Sequence, residues 1–264
     1  MSSTQTTQED KNDLHEVLIT SSTDSTHLLH HNLHQLSEFQ GDQITEKRTD
    51  VFRIGFVNIN GIPKQAKNPK NKNIEHFINK YNFDFLGLAE TNCFWPLAQD
   101  ENKWHERVRE WNLQHSKSVL SYYTKPIIPE LNQPGGVISM ALNSSTNKVF
   151  SSGKDEPLGC WSWINLRGKN NIKTTIITGY CPCDNSYGNN NVLLQQQRYL
   201  QAQQIEDCPR ALWLQDMGKL VKTKLQDGHQ LVLQADMNDS VVTNQCIKSW
   251  ADKLGLSEDV SPTA

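Results

Sequence analysis

The sequence lacks the features that mark membrane-bound or secreted proteins. No apolar run follows a basic start at the N-terminus, and no stretch approaches the roughly 18 apolar residues of a membrane span. The six cysteines are scattered over 264 residues without the regular spacing of a disulfide framework. We therefore expect an intracellular protein, nuclear or cytoplasmic, with reduced thiols and no membrane partner.

Strong charge of one sign and abundant apolar residues are also missing. The formal net charge is −3 at pH 7, so any contact with nucleic acid would depend on local patches of charge. Hydrophobic residues make up 36% of the chain and the mean hydropathy is −0.63, which indicates a folded core plus a polar tail. The length allows one large α/β domain or two small ones.

Residues 1–50 are rich in Ser, Thr, Gln, Asp and His and have almost no aromatic side chains. Such a segment buries too little apolar area to offset its ordering entropy, so we expect a disordered polar tail before a folded region at 51–264. Histidines between His27 and His34 stand at i, i+4 spacing, which can clasp a metal on a helix. A weakly helical segment of a mobile tail is the favoured alternative.

From Val51 onward, strand patterns and helix patterns alternate. Strands are predicted at 51–57, 83–88, 118–123, 135–142, 161–166, 174–180 and 229–235. Helices are predicted around 74–81, at 195–204, within 207–225 and at 246–254. Because this alternation is mixed with a hairpin across Gly168–Asn171, the pattern predicts an α/β fold with mixed sheets.

Polar side chains follow four of the predicted strands, at the point where each strand stops. The four strings are Val57–Gly61, Leu88–Thr91, Thr178–Pro182 and Leu233–Asn238. Acidic, amide and phenolic groups gathered at strand ends can build a divalent-metal site that attacks a phosphodiester.

Glu90 is the candidate metal carboxylate, because it comes directly after an apolar strand. A hard cation such as Mg²⁺ takes one or two protein carboxylates, keeps several waters and holds substrate phosphate in the remaining positions. Asn60 would supply an amide oxygen, directly or through water. Considered alone, Glu90 is more often a solvated surface residue.

Asp236 and Asn238 form an Asp-x-Asn pair after a buried strand. A strand period of two would place both side chains on one side of the sheet. There Asp236 would orient and deprotonate a water, and Asn238 would steady a phosphate oxygen. The alternative is a local turn in which both side chains bond the backbone.

Tyr180 ends its own predicted strand just before Cys181-Pro182. Its phenol would donate a hydrogen bond to a phosphoryl oxygen and stabilise the charge that builds there. Taken by itself, an ordinary half-buried strand tyrosine is the better interpretation.

Tryptophans and lysines also leave two interpretations open. The tryptophans can stack bases or fill the core, and core is the default; they include Trp95, Trp104, Trp111, Trp161 and Trp163. The lysine run follows the Asn60 turn and comprises Lys64, Lys67, Lys70 and Lys72. It would contact a nucleic-acid backbone or, as the favoured alternative, form a solvated loop.

Taken in order, the four strings resemble the endonuclease/exonuclease/phosphatase superfamily, which includes deoxyribonuclease I and abasic-site endonucleases. A branch found in retroelement-type reading frames is more similar still. The strings that carry this closer resemblance are Trp161–Ile164, Tyr180–Cys183, Gln195–Gln197, Asp207–Arg210 and Gly228–Gln230. The resemblance covers about Phe52 to Leu256.

This resemblance implies a four-layered α/β sandwich, in which two mixed sheets pack face to face with helices outside. It also implies Mg²⁺ or Mn²⁺ as cofactor and in-line hydrolysis of a phosphate ester. By position, Glu90 and Asn60 would hold metal, and Asn58 would join Tyr180 and Asn238 in binding substrate. Asp236 would position the nucleophilic water, with Tyr180 and Asn238 assisting catalysis.

The sequence departs from the family pattern at three places. Ala235 stands where glycine is usual, and Asn60 replaces a frequent aspartate, which lowers the negative charge offered to metal. The family continues with another strand and a Ser-Asp-His motif, whereas this chain ends at Ser261–Ala264. His229 cannot substitute, because it precedes the Asp236 strand. We therefore expect a fold that is truncated at the C-terminus.

The resulting expectation is a Mg²⁺-dependent phosphodiester hydrolase, a DNA endonuclease of retroelement type that is weak or inactive as this fragment. Two alternatives stay open. One is a phosphatase of the same fold that acts on a phosphoinositide or another phosphate ester, and the other is a non-catalytic nucleic-acid-binding remnant. Substrate choice depends on loops that the sequence does not specify, and the oligomeric state stays open.

Overall fold

A computed structural model of the chain describes residues 46–48, 50–113, 115–126, 128–183, 191–239 and 245–257. The predicted tail, residues 1–50, lies almost wholly outside this part of the chain. The histidines from His27 to His34, with their suggested metal clasp, lie outside it as well.

Strands and helices alternate within the described residues. The strands are β1 (Ile54–Asn58), β2 (Phe85–Ala89), β3 (Ser116–Ser121), β4 (Val137–Leu142), β5 (Val149–Lys154), β6 (Trp161–Arg167), β7 (Lys173–Tyr180) and β8 (His229–Asp236). The α-helices are α1 (Pro69–Tyr81), α2 (Trp104–Glu110), α3 (Val192–Ala202), α4 (Pro209–Gln226) and α5 (Gln245–Lys253). Short 3₁₀ helices cover Trp95–Leu97, Asp100–Asn102, Asn143–Lys148 and Lys169–Asn171.

Local sequence explains where α1 begins and ends. The Asn68 side chain accepts a hydrogen bond from the Lys70 amide, and Pro69 stands at the first helical position, where no amide hydrogen is needed. Asn82 ends the helix in a left-handed conformation, φ 48°, with its amide bonded to the Ile78 carbonyl. These caps place the first turn of α1 close after the β1 end.

The strands form two four-stranded sheets with the orders β1-β2-β4-β3 and β5-β6-β7-β8. β1 and β2 are parallel, as are β7 and β8, whereas the other neighbouring strands run antiparallel. Both sheets are therefore mixed, as predicted. The register pairs Asn58 with Ala89 and Tyr180 with Asp236, so the strands of each parallel pair end side by side.

The sheets pack face to face, and helices cover both outer faces. Apolar side chains fill the space between the sheets: Phe85, Ala141, Ile164, Leu166, Ile176 and Val232. On the first sheet, Ile74 and Ile78 of α1 pack against Leu86 and Leu88. On the second sheet, residues of α4 pack against Ile177 and Leu233: Trp213, Met217 and Val221. This arrangement confirms the four-layered α/β sandwich.

A row of hydroxyl side chains crosses the interior between the two sheets, two residues before Tyr180 ends β7. Ser139 Oγ lies 2.8 Å from Ser162 Oγ and 2.9 Å from Thr178 Oγ1, so the two sheets are hydrogen-bonded to each other here. A Cβ at Gly87 would lie 2.8 Å from Thr178 Oγ1, so only glycine permits this approach. Because Thr178 precedes Tyr180 by two residues, the row fixes the sheet spacing beneath the strand ends.

The tryptophans belong to the core. Trp95, Trp104 and Trp111 are buried, and their rings meet edge to face at centroid distances of 5.9 and 5.5 Å. Trp161 is buried and Trp163 is partly buried in the α4-facing cluster of the second sheet. The favoured core interpretation is confirmed. Separately, no helix in the described part of the chain is long and apolar enough to cross a membrane.

Candidate active site at the ends of the parallel strands

The structure brings the four predicted strings together at one end of the sandwich. Asn58 ends β1 and Glu90 follows β2, whereas Tyr180 and Asp236 end β7 and β8. Asn58 Nδ2 donates a hydrogen bond of 2.8 Å to Asp236 Oδ2, across 178 residues of sequence. This bond joins the ends of the two sheets, so polar groups from both enter one site.

Asp236 is 2% exposed, and both of its carboxylate oxygens accept hydrogen bonds. Oδ2 accepts from Asn58, and Oδ1 accepts from the Asn238 amide at 3.0 Å. Burial raises the pKa of this carboxyl above its ordinary value of 3.8, and the two hydrogen bonds partly oppose that rise. The carboxylate is thus a stronger base than an exposed aspartate.

The strand-period argument for Asp236 and Asn238 was wrong. β8 ends at Asp236, and Asn238 adopts a left-handed conformation, φ 47°, so no pleat relates the two side chains. They meet through a turn in which the Asp236 carboxylate holds the Asn238 amide. Asn238 Nδ2 then donates 2.7 Å to the Cys181 carbonyl, which ties the β8 end to the β7 end. The turn alternative therefore describes the local structure, and it also builds the site.

Tyr180 connects the two sheets a second time. It is 6% exposed, and its hydroxyl interacts with the side chains of Glu90 and Asn238. Burial raises the pKa of this phenol strongly, and the negative charge of Glu90 raises it further. The hydroxyl therefore stays protonated and acts as a hydrogen-bond donor.

The first-sheet side of the site is more open to solvent. Glu90 is partly buried, whereas the Asn60 side chain is exposed. The Gly61 amide donates 2.6 Å to the Glu90 carbonyl, and the Asn60 amide donates 3.0 Å to Asn58 Oδ1. These bonds hold the β1–α1 turn beside Glu90.

Left-handed backbone recurs at the site, at Asn60 (φ 41°), Glu90 (φ 51°) and Asn238 (φ 47°). Asparagine tolerates this region, but a glutamate is rarely found in it. Such a conformation costs on the order of 1–3 kcal/mol and persists where surrounding bonds impose it. Two hydrogen bonds hold Glu90 in this conformation. The Gly61 amide donates to the Glu90 carbonyl, and the amide of the next residue, Thr91, donates 3.1 Å to the Gly136 carbonyl.

Arg210 is a buried site-supporting residue to which sequence reasoning assigned no role, although it lies in the Asp207–Arg210 string. Its Nη1 donates 2.7 Å to the Pro182 carbonyl and 3.2 Å to the Met237 carbonyl. Its Nη2 lies 3.2 Å from Asp239 Oδ2. One guanidinium thus holds the two turns that follow Tyr180 and Asp236. The only sequence signal for this role of Arg210 was its place directly after Pro209 at the start of α4.

The lysine run divides into two kinds of residue. Lys64 and Lys67 are exposed on a loop, as expected, whereas Lys72 is exposed on helix α1. Lys70 is half-buried, and its Nζ donates 2.9 Å to the Asn60 carbonyl. Burial lowers the pKa of the Lys70 ammonium, and attraction to the Glu90 carboxylate partly restores it.

The donor atoms at the open side fit a hard cation. No group of three or more His, Cys, Asp or Glu residues in the described ranges could hold a metal. Mg²⁺ requires less protein, because one or two carboxylates suffice beside water and phosphate oxygens. The Glu90 carboxylate with the exposed Asn60 amide matches that oxygen donor set.

His229 lies away from the site. It begins β8, the strand that Asp236 ends, so the two residues stand about 23 Å apart at about 3.3 Å per strand residue. The ring is buried, with Nδ1 2.7 Å from Thr175 Oγ1. The sequence argument that His229 cannot join the site is confirmed.

No protein-family model and no curated protein sequence matches the chain. Solved structures of similar fold include the human Nocturnin catalytic domain with bound sulfate, with a TM-score of 0.47 and 13% identity, covering 77% of this chain and 70% of that one. An AP endonuclease from Archaeoglobus fulgidus has a TM-score of 0.44 at 14% identity, covering 77% and 70%. An endonuclease/exonuclease/phosphatase family protein from Leptotrichia buccalis has 0.43 at 9%, covering 78% and 75%.

Proposed function

We propose that this protein is a divalent-metal-dependent phosphodiesterase that cuts DNA, of the kind found in retroelements. The observation that carries the proposal is the joining of Asn58, Glu90, Tyr180, Asp236 and Asn238 into one polar network at the ends of four strands. The retroelement assignment depends on the sequence resemblance described above.

Asp236 is the group that we assign to the nucleophilic water. Its carboxylate accepts a proton as the water oxygen bonds to phosphorus and the opposite P–O ester bond breaks. The leaving oxygen then takes a proton from solvent, which yields a phosphomonoester and a free hydroxyl. Asn58 keeps the carboxylate oriented through its 2.8 Å bond, so the base is in position before substrate arrives.

Tyr180 and Asn238 are the groups that we assign to the phosphoryl oxygens. Both carry N–H or O–H donors at the site, and the burial that keeps Tyr180 protonated also strengthens its hydrogen bonds. Donors held at the site by burial and by neighbouring groups stabilise the charge that grows on phosphoryl oxygens during displacement.

Glu90 and Asn60 are the groups that we assign to Mg²⁺. When bound, the ion supplies Lewis-acid stabilisation of the phosphoryl charge. The open position of both side chains leaves room for water and phosphate oxygens as the remaining ligands.

Exposed lysines beside the site favour a nucleic acid over a small phosphate ester. Lys64, Lys67 and Lys72 stand on the same segment as the Asn60 turn and the start of α1. A polyanion extends beyond the phosphate being cut, so charges in these places can contact its neighbouring phosphates. A phosphomonoester has no such neighbouring phosphates.

A plasmid-nicking assay with the full chain tests the proposal. Supercoiled DNA should be nicked in the presence of Mg²⁺ and left intact in EDTA, with Glu90→Ala and Asp236→Ala both lacking activity. Phosphate release from a phosphoinositide, measured beside it, should be absent. Nicking that survives both substitutions would overturn the residue assignment, and release from the lipid without nicking would favour the phosphatase alternative.

A further inference from the structure

One lysine of the β1–α1 segment is built into the site, whereas its neighbours are solvated. Lys70 is half-buried, and its Nζ lies 2.9 Å from the Asn60 carbonyl oxygen. An ammonium has three N–H donors, and this bond uses one of them. The geometry therefore presents a cation with remaining donors at the turn that carries Asn60.

Helix stability does not account for a lysine at this position. Lys70 stands in the first turn of α1, where the backbone dipole disfavours positive charge and where no acidic residue occurs. Its charge would be better tolerated in solvent, as at Lys72. The side chain instead extends along partly buried surface toward Asn60, which places the charge at the open side of the site.

Glu90 is tied to the same turn through its backbone, and its charge acts on the Lys70 ammonium. The turn that Lys70 holds is hydrogen-bonded to Glu90, since the Gly61 amide donates 2.6 Å to the Glu90 carbonyl. Lys70, Asn60 and Glu90 therefore form one unit on the first-sheet side. Tyr180, which interacts with Glu90, ends β7 in the second sheet.

We propose that Lys70 is a phosphate-binding residue, which contacts a backbone phosphate of DNA next to the phosphate being cut. The assignment rests on the proposed function, because it takes the Glu90 and Asp236 site as the place of cutting. A lysine acts as a point charge toward phosphate and needs no fixed bidentate geometry. The substitution Lys70→Arg, which keeps the positive charge, should therefore preserve the contact.

Metal-free binding measures this contact without catalysis. Fluorescein-labelled duplex DNA is titrated with the full chain in EDTA at several salt concentrations. Lys70→Met, which keeps the apolar stem, should weaken binding about fivefold to tenfold and reduce the slope of log K against log salt by about 0.9. Lys70→Arg should bind like the unchanged protein.

Lys80→Met is the matched control, because Lys80 is exposed in the last turn of the same helix and carries the same charge. It should leave the salt slope unchanged. Equal losses for the Lys70 and Lys80 variants would overturn the proposal, since they would report net charge alone. Lys70→Met with an unchanged slope would overturn it too, and a thermal melt verifies that each variant is folded.

The two proposals fail separately. Nicking that depends on Glu90 and Asp236 together with an unchanged salt slope for Lys70→Met would reject only the lysine contact. Nicking that is independent of both acids would reject the proposed function. A second binding arm uses phosphatidylcholine vesicles that contain phosphatidylinositol bisphosphate. If Lys70→Met lost vesicle binding and kept DNA binding, the assignment to DNA would be wrong.

Discussion

The two sides of the candidate site differ in how completely the fold holds their polar groups. On the second-sheet side, Asp236 and Tyr180 are 2% and 6% exposed, and both side chains interact with neighbouring protein groups. On the first-sheet side, Glu90 is only partly buried and the Asn60 side chain is exposed. Both sides end a parallel strand pair, so the strand geometry alone does not produce the difference.

This difference indicates a division of labour. Groups that act on protons and on developing charge benefit from burial, because a low dielectric strengthens their interactions and fixed partners remove reorganisation. Groups that hold a hydrated cation need open space, because the ion keeps water and takes phosphate oxygens. The following substitutions separate the two sides, beginning with the largest expected effect.

Asp236→Asn should remove the proton acceptor and lower the nicking rate by about 10³-fold, within the range of general-base contributions. The free energy of unfolding should fall by no more than about 1–3 kcal/mol, because relief of a buried charge opposes the loss of one of the two hydrogen bonds that the carboxylate accepts. Nicking kinetics and a chemical denaturation curve check both parts. Asp252→Asn, at an exposed position on α5, serves as the control. A loss of activity that merely follows a loss of stability would contradict the assigned role.

Glu90→Gln should weaken the binding of Mg²⁺. The concentration of Mg²⁺ needed for half-maximal nicking should rise by about 100-fold, since an amide offers the cation no charge and a lost supporting group already costs about 10- to 100-fold in affinity. A Mg²⁺ titration of the rate measures this shift. Glu110→Gln, exposed at the end of α2, should leave the titration unchanged. An unaltered Mg²⁺ requirement in the Glu90 variant would show that Glu90 is not a metal ligand.

Arg210→Lys should loosen the buried side without touching the open one. Lysine keeps the charge, but its single nitrogen cannot replace both Nη1, which donates to the Pro182 and Met237 carbonyls, and Nη2, which pairs with Asp239. We expect a loss of about 1.5–3 kcal/mol in the free energy of unfolding, from hydrogen bonds to a charged group, and a nicking rate about tenfold lower. Arg198→Lys, exposed on α3, is the matched control. A changed Mg²⁺ requirement would show that the two sides are not separable.

Asn58→Ala should shift the pH dependence of nicking. Only charged Asp236 accepts a proton, so the rate falls as the pH drops through its pKa in the folded protein. Burial raises that pKa and the Asn58 hydrogen bond lowers it, so removal of the bond should move the acid limb to higher pH. Asn60→Ala should leave the limb in place, because its side chain is exposed on the open side. An unshifted limb in the Asn58 variant would mean that another group titrates.

Much of the fold followed from local pattern, and the exceptions have physical causes. Apolar runs predicted seven of the strands, whereas β5 was missed because Val149–Lys154 is rich in serine and becomes a strand through pairing with β6. There a Cβ at Gly153 would meet the Trp163 ring at 2.5 Å, a constraint that only the paired strand imposes. The seven-residue α2 was missed because Trp104 suggested core and the segment carried no periodic signal.

By itself, the sequence determined the alternation of strands and helices, the mixed sheets and which strand ends carry acidic, amide and phenolic groups. These are local properties, set by side-chain period and turn chemistry. Tertiary structure decided that Asn58 bonds Asp236, that Glu90 bends into the left-handed region, that Arg210 holds two turns and that Lys70 alone of its run enters the site. Contacts between residues so distant in sequence leave no local signature, because they form only when the two sheets pack together.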